Sequence, residues 1–175
     1  MAKRNALITG GMGGLGESIS TKMHDAGFNV VVTHSPGNKN AAAWVADYKG
    51  KGYSFAAYGV DVADYDSCQA CVAKVQNDVG AVDILINNAG ITRDMTFKKM
   101  TKADWDMVIR TNLDSAFNMA KQVCDGMVER VGDASSMCPR STGPKARSDR
   151  RTMRRPRPGC MDSPRRSRSR WQERA

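Results

Sequence analysis

Five of the eight residues from Thr9 to Gly16 are glycine (Thr9-Gly10-Gly11-Met12-Gly13-Gly14-Leu15-Gly16). A run like this cannot form the middle of a strand or helix, because glycine loses the most backbone entropy on ordering and offers no side chain to pack. It does permit a tight reversal and a close approach of backbone to something else. Its flanks decide which element it joins. Asn5-Ala6-Leu7-Ile8-Thr9 is a short apolar run of strand length, and a helical pattern follows from about Gly14 to Ala26, ended by Gly27. The chain therefore opens as strand, glycine turn and helix.

The same alternation continues. Asn29–Thr33 carries Val30, Val31 and Val32, the mark of a strand buried on both faces. A loop with Pro36 and Gly37 leads to a helix over 40–48. Phe55–Val62 reads as a third strand and 64–79 as a third helix with Asp64 as N-cap. Val82–Ile86 reads as a fourth strand. Thr101, with Asp104 three residues on, opens one long helix that runs to about Arg130. Alternating strands and helices build a parallel sheet covered by helices on both faces, so the expected class is α/β, a doubly wound sheet. No internal repeat is visible.

Composition divides the chain in two. Residues 1–132 hold 14 basic and 14 acidic side chains, whereas 133–175 hold 13 basic and 4 acidic ones, which is the whole of the net +9. Five of the six prolines lie in that last stretch, which contains no Leu, Ile, Val, Phe or Tyr. Such a tail cannot bury enough apolar area to offset its ordering entropy. The expected organisation is a globular domain over 1–130 and a disordered basic tail over 131–175. No apolar run suggests a signal peptide or a membrane span, and five cysteines without such a signal suggest reduced thiols in a cytoplasmic protein. Cys68 and Cys71 form a lone C-x-x-C that admits metal or redox work. They also fall with Val72, Val75 and Val79 on one helical stripe, which is the better reading. His24 and His34 show no metal-ligand spacing and read as surface residues; no metal is expected.

The glycine turn between strand and helix is the geometry a dinucleotide pyrophosphate needs, with backbone close to the phosphates and a helix N-terminus facing their charge. Asn87-Asn88-Ala89-Gly90 follows the fourth strand. Ligands of parallel sheets bind at the carboxyl ends of the strands, so the two motifs point at one crevice. The spacing T-G-x-x-x-G-x-G, then N-N-A-G, then Thr111-Asn112-Leu113 inside the next helix resembles the short-chain dehydrogenase/reductase family, a Rossmann-type fold. Asn87–Met100 followed by Thr101-Lys102-Ala103-Asp104-Trp105-Asp106 is similar to one subgroup, the acetoacetyl-CoA reductases of polyhydroxybutyrate synthesis; 3-oxoacyl-carrier-protein reductases share similar motifs. The resemblance spans about residues 3–130, the N-terminal half of such a fold.

This resemblance implies roles. Gly10, Met12, Gly13, Gly14, Leu15 and Gly16 would form the pyrophosphate cradle. Asp61 and Val62 would flank the adenine, and Asn88, Ala89 and Gly90 would line the ribose side. Asn112 would be the Asn of the family's Asn-Ser-Tyr-Lys tetrad. Asp94 and Lys99 match positions that reach an acyl-CoA substrate in the subgroup, and read equally as a solvated charge pair. The second strand ends Thr33-His34-Ser35 without the carboxylate that would bind the ribose hydroxyls of NAD, while Ser35 and Lys39 can bond and balance a 2′-phosphate, so NADPH is the expected cofactor. Family members are commonly homotetramers, built through helices around and beyond residue 130, so assembly is not expected to be retained by this chain.

The family's Ser and Tyr-x-x-x-Lys should follow the Asn helix, yet the last tyrosine is Tyr65. Arg130–Ala134 can be encoded CGT GTT GGG GAC GCA. One G restored after the first codon gives Arg-Gly-Trp-Gly-Arg, as the resemblance expects. Carried on, the shifted frame places a Ser codon across Arg140, a Tyr codon across Met153 and a Lys codon across Arg157, with the Tyr and Lys four positions apart. Residues from about Val131 therefore read as an out-of-frame translation, and the chain as written is expected to be inactive and to fold poorly, since its fourth strand and long helix lose the neighbours that would cover them. The second reading is a genuine arm whose twelve arginines bind a nucleic-acid backbone, with salt-sensitive retention lost on truncation at Gly132. A nucleic-acid partner is not the expectation adopted, and no membrane partner is expected.

Overall fold

A computed structural model describes residues 3–136, with side chains as far as Arg130. The readings that fall on 137–175 (a disordered tail, a nucleic-acid arm, and Arg140, Met153 and Arg157 in the places of the missing tetrad) lie outside the described residues.

The elements alternate as the apolar runs require: β1 (Asn5–Ile8), α1 (Gly14–Asp25), β2 (Asn29–His34), α2 (Ala41–Gly50), β3 (Phe55–Gly59), α3 (Tyr65–Asp78), β4 (Ile84–Ile86), α4 (Lys102–Ile109) and α5 (Ser115–Ser136). The four strands form one sheet in the order β3-β2-β1-β4. All pairings are parallel, with Leu7 beside both Val31 and Leu85, and Val31 beside Ala56. Successive side chains on a strand point to opposite faces. Leu7 and Val31 accordingly pack with Val72 and Val75 of α3 and Met119 and Val123 of α5 on one face. Ile8, Val30 and Val32 pack on the other with Ile19 and Met23 of α1 and Tyr48 of α2. Helices on both faces make this the expected Rossmann-type doubly wound sheet.

The caps follow the sequence. Asp64 accepts from the Ser67 amide at the head of α3, and Thr101 with Asp104 forms a reciprocal capping box at the head of α4. Cys68, Cys71, Val72 and Val75 are the buried face of α3, as their stripe requires.

Three expectations need correction. The single long helix from Thr101 does not exist. A π-helical turn over Arg110–Asp114 separates α4 from α5, and Asn112 sits at its centre. A π turn is rare and one turn long, and its asparagine bonds a segment far away in sequence, so nothing local marks it. The second helical segment also continues to Ser136, past the boundary expected at Arg130. Finally, neither histidine is a freely exposed surface residue. His24 is half-buried, its ring edge-on to Tyr53 at 5.2 Å and to Phe55 at 5.8 Å, with Nε2 accepting from the Ser54 amide at 3.4 Å. His34 is half-buried at the end of β2.

Candidate functional site

The carboxyl ends of the four strands meet around the glycine turn. Thr9, buried at the end of β1, is the organising residue: its hydroxyl oxygen accepts from the amides of Asn88 and Ala89, each at 2.9 Å. In return the Asn88 side-chain amide donates to the carbonyls of Thr9 (3.0 Å) and Gly10 (3.2 Å). The loop after β4 is thereby fastened to the loop after β1 across strands 79 positions apart in sequence.

That arrangement explains two glycines. Gly10 adopts φ +62°, in the left-handed region. At Gly16 a Cβ would lie 2.2 Å from the Gly10 carbonyl oxygen and 2.6 Å from Asn88 Nδ2, so any side chain there would break the brace.

A cleft of about 430 Å³ opens beside this brace, walled by Gly10, His34, Ser35, Asp61, Val62 and Ala89, with Gly90, Ile91 and Thr111 completing it. A smaller recess of about 230 Å³ adjoins it at Gly10, Met12, Gly13, Ser35 and Asn38. The structure thus brings Gly10, Met12, Gly13, Ser35, Asp61, Val62, Ala89 and Gly90 to the cleft and its recess. It does not bring all expected residues there. Asn88 turns its side chain to the backbone of Thr9 and Gly10. Gly16 is buried under the turn, Gly14 and Leu15 open the helix, and the Leu15 side chain is 71% exposed. Lys39 is exposed on the loop after β2 and lines neither cavity.

Asn112 fastens a different loop. Its Oδ1 accepts from the Ile91 amide at 2.8 Å and its Nδ2 donates to the Ile91 carbonyl at 2.9 Å, a two-point bond from the π turn to the segment after Gly90. Asp94 and Lys99 are exposed on that segment and, among the described residues, neither forms an ion pair. An apolar groove of about 480 Å³ lies next to them, formed by Phe97, Met100, Thr101, Lys102 and Trp105.

Sequence reasoning passed over Thr9, Thr33, His34, Asn38, Ile91 and Thr111. Position at a strand's carboxyl end would have flagged Thr9, Thr33 and His34; nothing local marks Thr111. Burial pushes the Cys68 thiol up to about 11 and raises that of Cys71 as well, so neither is poised as a thiolate.

The residues fit a dinucleotide. At Gly13 and Gly14 an added Cβ would meet nothing within 4 Å, so the backbone there faces open space. α1 has no side-chain cap, in contrast to α3 and α4; the Gly16 amide bonds the Gly13 carbonyl, and the amides of Gly14 and Leu15 are left available to an anion.

Comparison with known proteins agrees with this geometry. The short chain dehydrogenase family model matches residues 4–135. The chain belongs to the short-chain dehydrogenase family. Over 130 residues it is 50% identical to an acetoacetyl-CoA reductase of Cupriavidus necator, an alignment covering 74% of this chain and 53% of that protein. It is 37% identical over 131 residues to a 3-oxoacyl-[acyl-carrier-protein] reductase of Staphylococcus aureus, covering 75% and 53%. A gluconate 5-dehydrogenase from Burkholderia cenocepacia, solved in complex with NADP and tartrate, superposes with a TM-score of 0.66 at 32% identity, covering 74% of this chain and 51% of that one. The chain spans about half the length of the curated relatives it matches. Among the described residues no helix is long and apolar enough to cross a membrane.

Proposed function

We propose that this chain is the cofactor-binding half of a cytoplasmic, NADPH-dependent reductase of 3-oxoacyl thioesters, with acetoacetyl-CoA as the substrate and 3-hydroxybutyryl-CoA as the product. The observation that carries the reading is the cleft itself. Four strand ends, contributed by distant parts of the chain, wall one cavity next to an uncapped helix N-terminus. The choice of substrate rests on the Cupriavidus relative, which is more similar to this chain than the carrier-protein reductase.

In this reading the amides from Met12 to Leu15 hold the diphosphate, those of Gly10, Gly11 and Gly16 being bonded within the protein. Ser35 bonds the 2′-phosphate, Asp61 accepts from the adenine amine, and Val62 and Ala89 supply apolar walls. Gly90 lines the cleft and lets the Asn112 side chain approach, since an added Cβ there would crowd Asn112 Oδ1 at 3.3 Å. Bound NADPH would supply the hydride for the 3-keto carbon. Asn112 positions the Ile91 segment, and Asp94 and Lys99 extend from that segment toward the thioester. These residues bind and orient. The proton for the carbonyl oxygen needs a separate acid, and all four tyrosines precede the Asn112 helix. The chain as written therefore holds NADPH without turning it over, and residues from about Val131 are out of frame. In the restored frame the protein is a homotetramer.

The test compares the 175-residue chain with the product of the gene carrying one G restored after the Arg130 codon. NADPH oxidation is followed by absorbance with acetoacetyl-CoA or acetoacetyl-carrier protein. The expected result is turnover by the restored protein alone, with the CoA thioester preferred. Turnover by the 175-residue chain would overturn the assignment of the missing acid, and preference for the carrier protein would overturn the substrate.

A further inference from the structure

The 430 Å³ cleft and the 230 Å³ recess share Gly10, Thr33, His34 and Ser35, so the end of β2 forms the wall common to both. His34 is the one residue on those walls able to carry positive charge. Lys39 is not among the lining residues, and no arginine is. The imidazole is held in place. Its Nδ1 lies 2.8 Å from the Ser35 carbonyl oxygen, and its Cε1 lies 3.5 Å from where a Cβ on Gly59 would stand.

That bond decides the chemistry of the other nitrogen. A carbonyl oxygen only accepts, so Nδ1 carries the hydrogen whatever the charge of the ring. The neutral ring then presents a lone pair at Nε2, which has no partner among the described residues. A lone pair repels phosphate oxygens. Only the protonated ring donates from Nε2, and it then adds a full positive charge.

We propose that His34 reads the cofactor's 2′-phosphate through a coupled proton, so that preference for NADPH over NADH grows as the pH falls. This rests on the reading of the cleft as a dinucleotide site and adds a specificity residue to it. Ser35 bonds the phosphate at any pH, and His34 supplies the charge that discriminates. The other ionisable groups around the ring do not mimic this behaviour. Asp61, past the end of β3, is the one carboxylate on the cleft wall. A carboxylate there favours the protonated ring. Tyr58, beside Thr33 on β3, directs its hydroxyl to Asp78 at 3.1 Å. Lys39 lines neither cavity, and the glycine turn contributes no ionisable side chain. The 2′-phosphate takes up its own proton at about pH 6, at the edge of the window.

The sign is fixed by this geometry. Phosphate binding favours the imidazolium, so affinity for NADPH rises as pH falls and NADPH binding takes up a proton. The full 175-residue chain is titrated with NADPH and with NADH by fluorescence between pH 8.5 and 6.5. Calorimetry in two buffers of different ionisation heat then counts protons. The Kd for NADPH should fall roughly tenfold over that range while that for NADH changes less than about twofold. His34→Gln, checked for folding by circular dichroism, should flatten the NADPH curve. His34→Arg should flatten it at high affinity. Equal pH slopes for the two nucleotides, or a slope that survives in His34→Gln, would overturn the role of His34 and leave the dinucleotide reading standing. Binding of neither nucleotide to the folded chain would overturn both.

Discussion

The two edges of the sheet are finished to different degrees. At the β3 edge, Trp44 of α2 stacks on both Tyr48 and Phe55, Tyr48 tilts against Phe55, and Tyr53 stacks on Phe55 in the same cluster. Lys51 places its ammonium over the Tyr48 ring at 4.7 Å. At the β4 edge the strand is three residues long and each of them is only half-buried. The helices beside it present large apolar side chains outward: Leu113 and Phe117 are each 64% exposed, and Trp105 is 51% exposed. The contrast separates two jobs. The nucleotide cleft is built from the ends of β1 and β2, whose strands are buried along most of their length, together with the end of β3 and the loop after β4, which Thr9 and Asn88 hold from within. The open side carries the exposed apolar side chains of α4, the π turn and α5.

The largest consequence of this comparison is an asymmetry in core substitutions. Leu7→Ala, at a fully buried central position, should cost about 3 kcal/mol in urea unfolding. Ile86→Ala, half-buried on β4, removes a side chain of the same size and should cost only about 1 kcal/mol. Equal costs would mean that β4 is covered as well as β1, and the contrast between the edges would disappear.

Most of this fold was legible because its signals are local and repeated. Val30-Val31-Val32 could only be a doubly buried strand, the glycine run could only be a turn, and Asp64 and Thr101 announced their caps. The fused helix was misread because Asn112 acts through Ile91, twenty-one positions away, and no periodicity carries that bond. The site was legible as motifs but not as roles. Asn88 belongs to the N-N-A-G motif, yet its side chain serves the Thr9 and Gly10 backbone rather than the cleft. Lys39 and His34 look interchangeable as basic residues near the end of β2. Only the direction of the chain after His34 puts one on the wall and the other outside it.

An intermediate effect is expected where the two regions are joined. Asn112→Ala removes two hydrogen bonds to the Ile91 backbone while leaving α4 and α5 capped and packed. The global cost should be about 1 kcal/mol, because the site is exposed and water can replace the lost partners. The local effect should be clearer. Amide hydrogen exchange at Ile91 should accelerate, and the segment 91–96 should become the first point of proteolytic cleavage, while exchange at Leu7 and Val31 stays unchanged. Unchanged exchange at Ile91 would show that the π turn holds that segment without its asparagine.

The smallest expected effect probes the open side directly. Phe117 sits on α5 with most of its ring in water, touching Tyr65 at a ring distance of 6.5 Å. An exposed side chain contributes little to folding, so Phe117→Ser should change stability by less than about 0.5 kcal/mol, and removal of an exposed aromatic should raise the concentration at which the chain stays in solution. A ring buried against another surface behaves differently, because its loss costs about 3 kcal/mol or more. Denaturation of Phe117→Ser at two protein concentrations therefore tells the cases apart. A near-zero, concentration-independent change means that this face is bare in the 175-residue chain. A large cost that grows with concentration means that a second copy covers it. A large cost that does not depend on concentration means that the cover comes from the same chain.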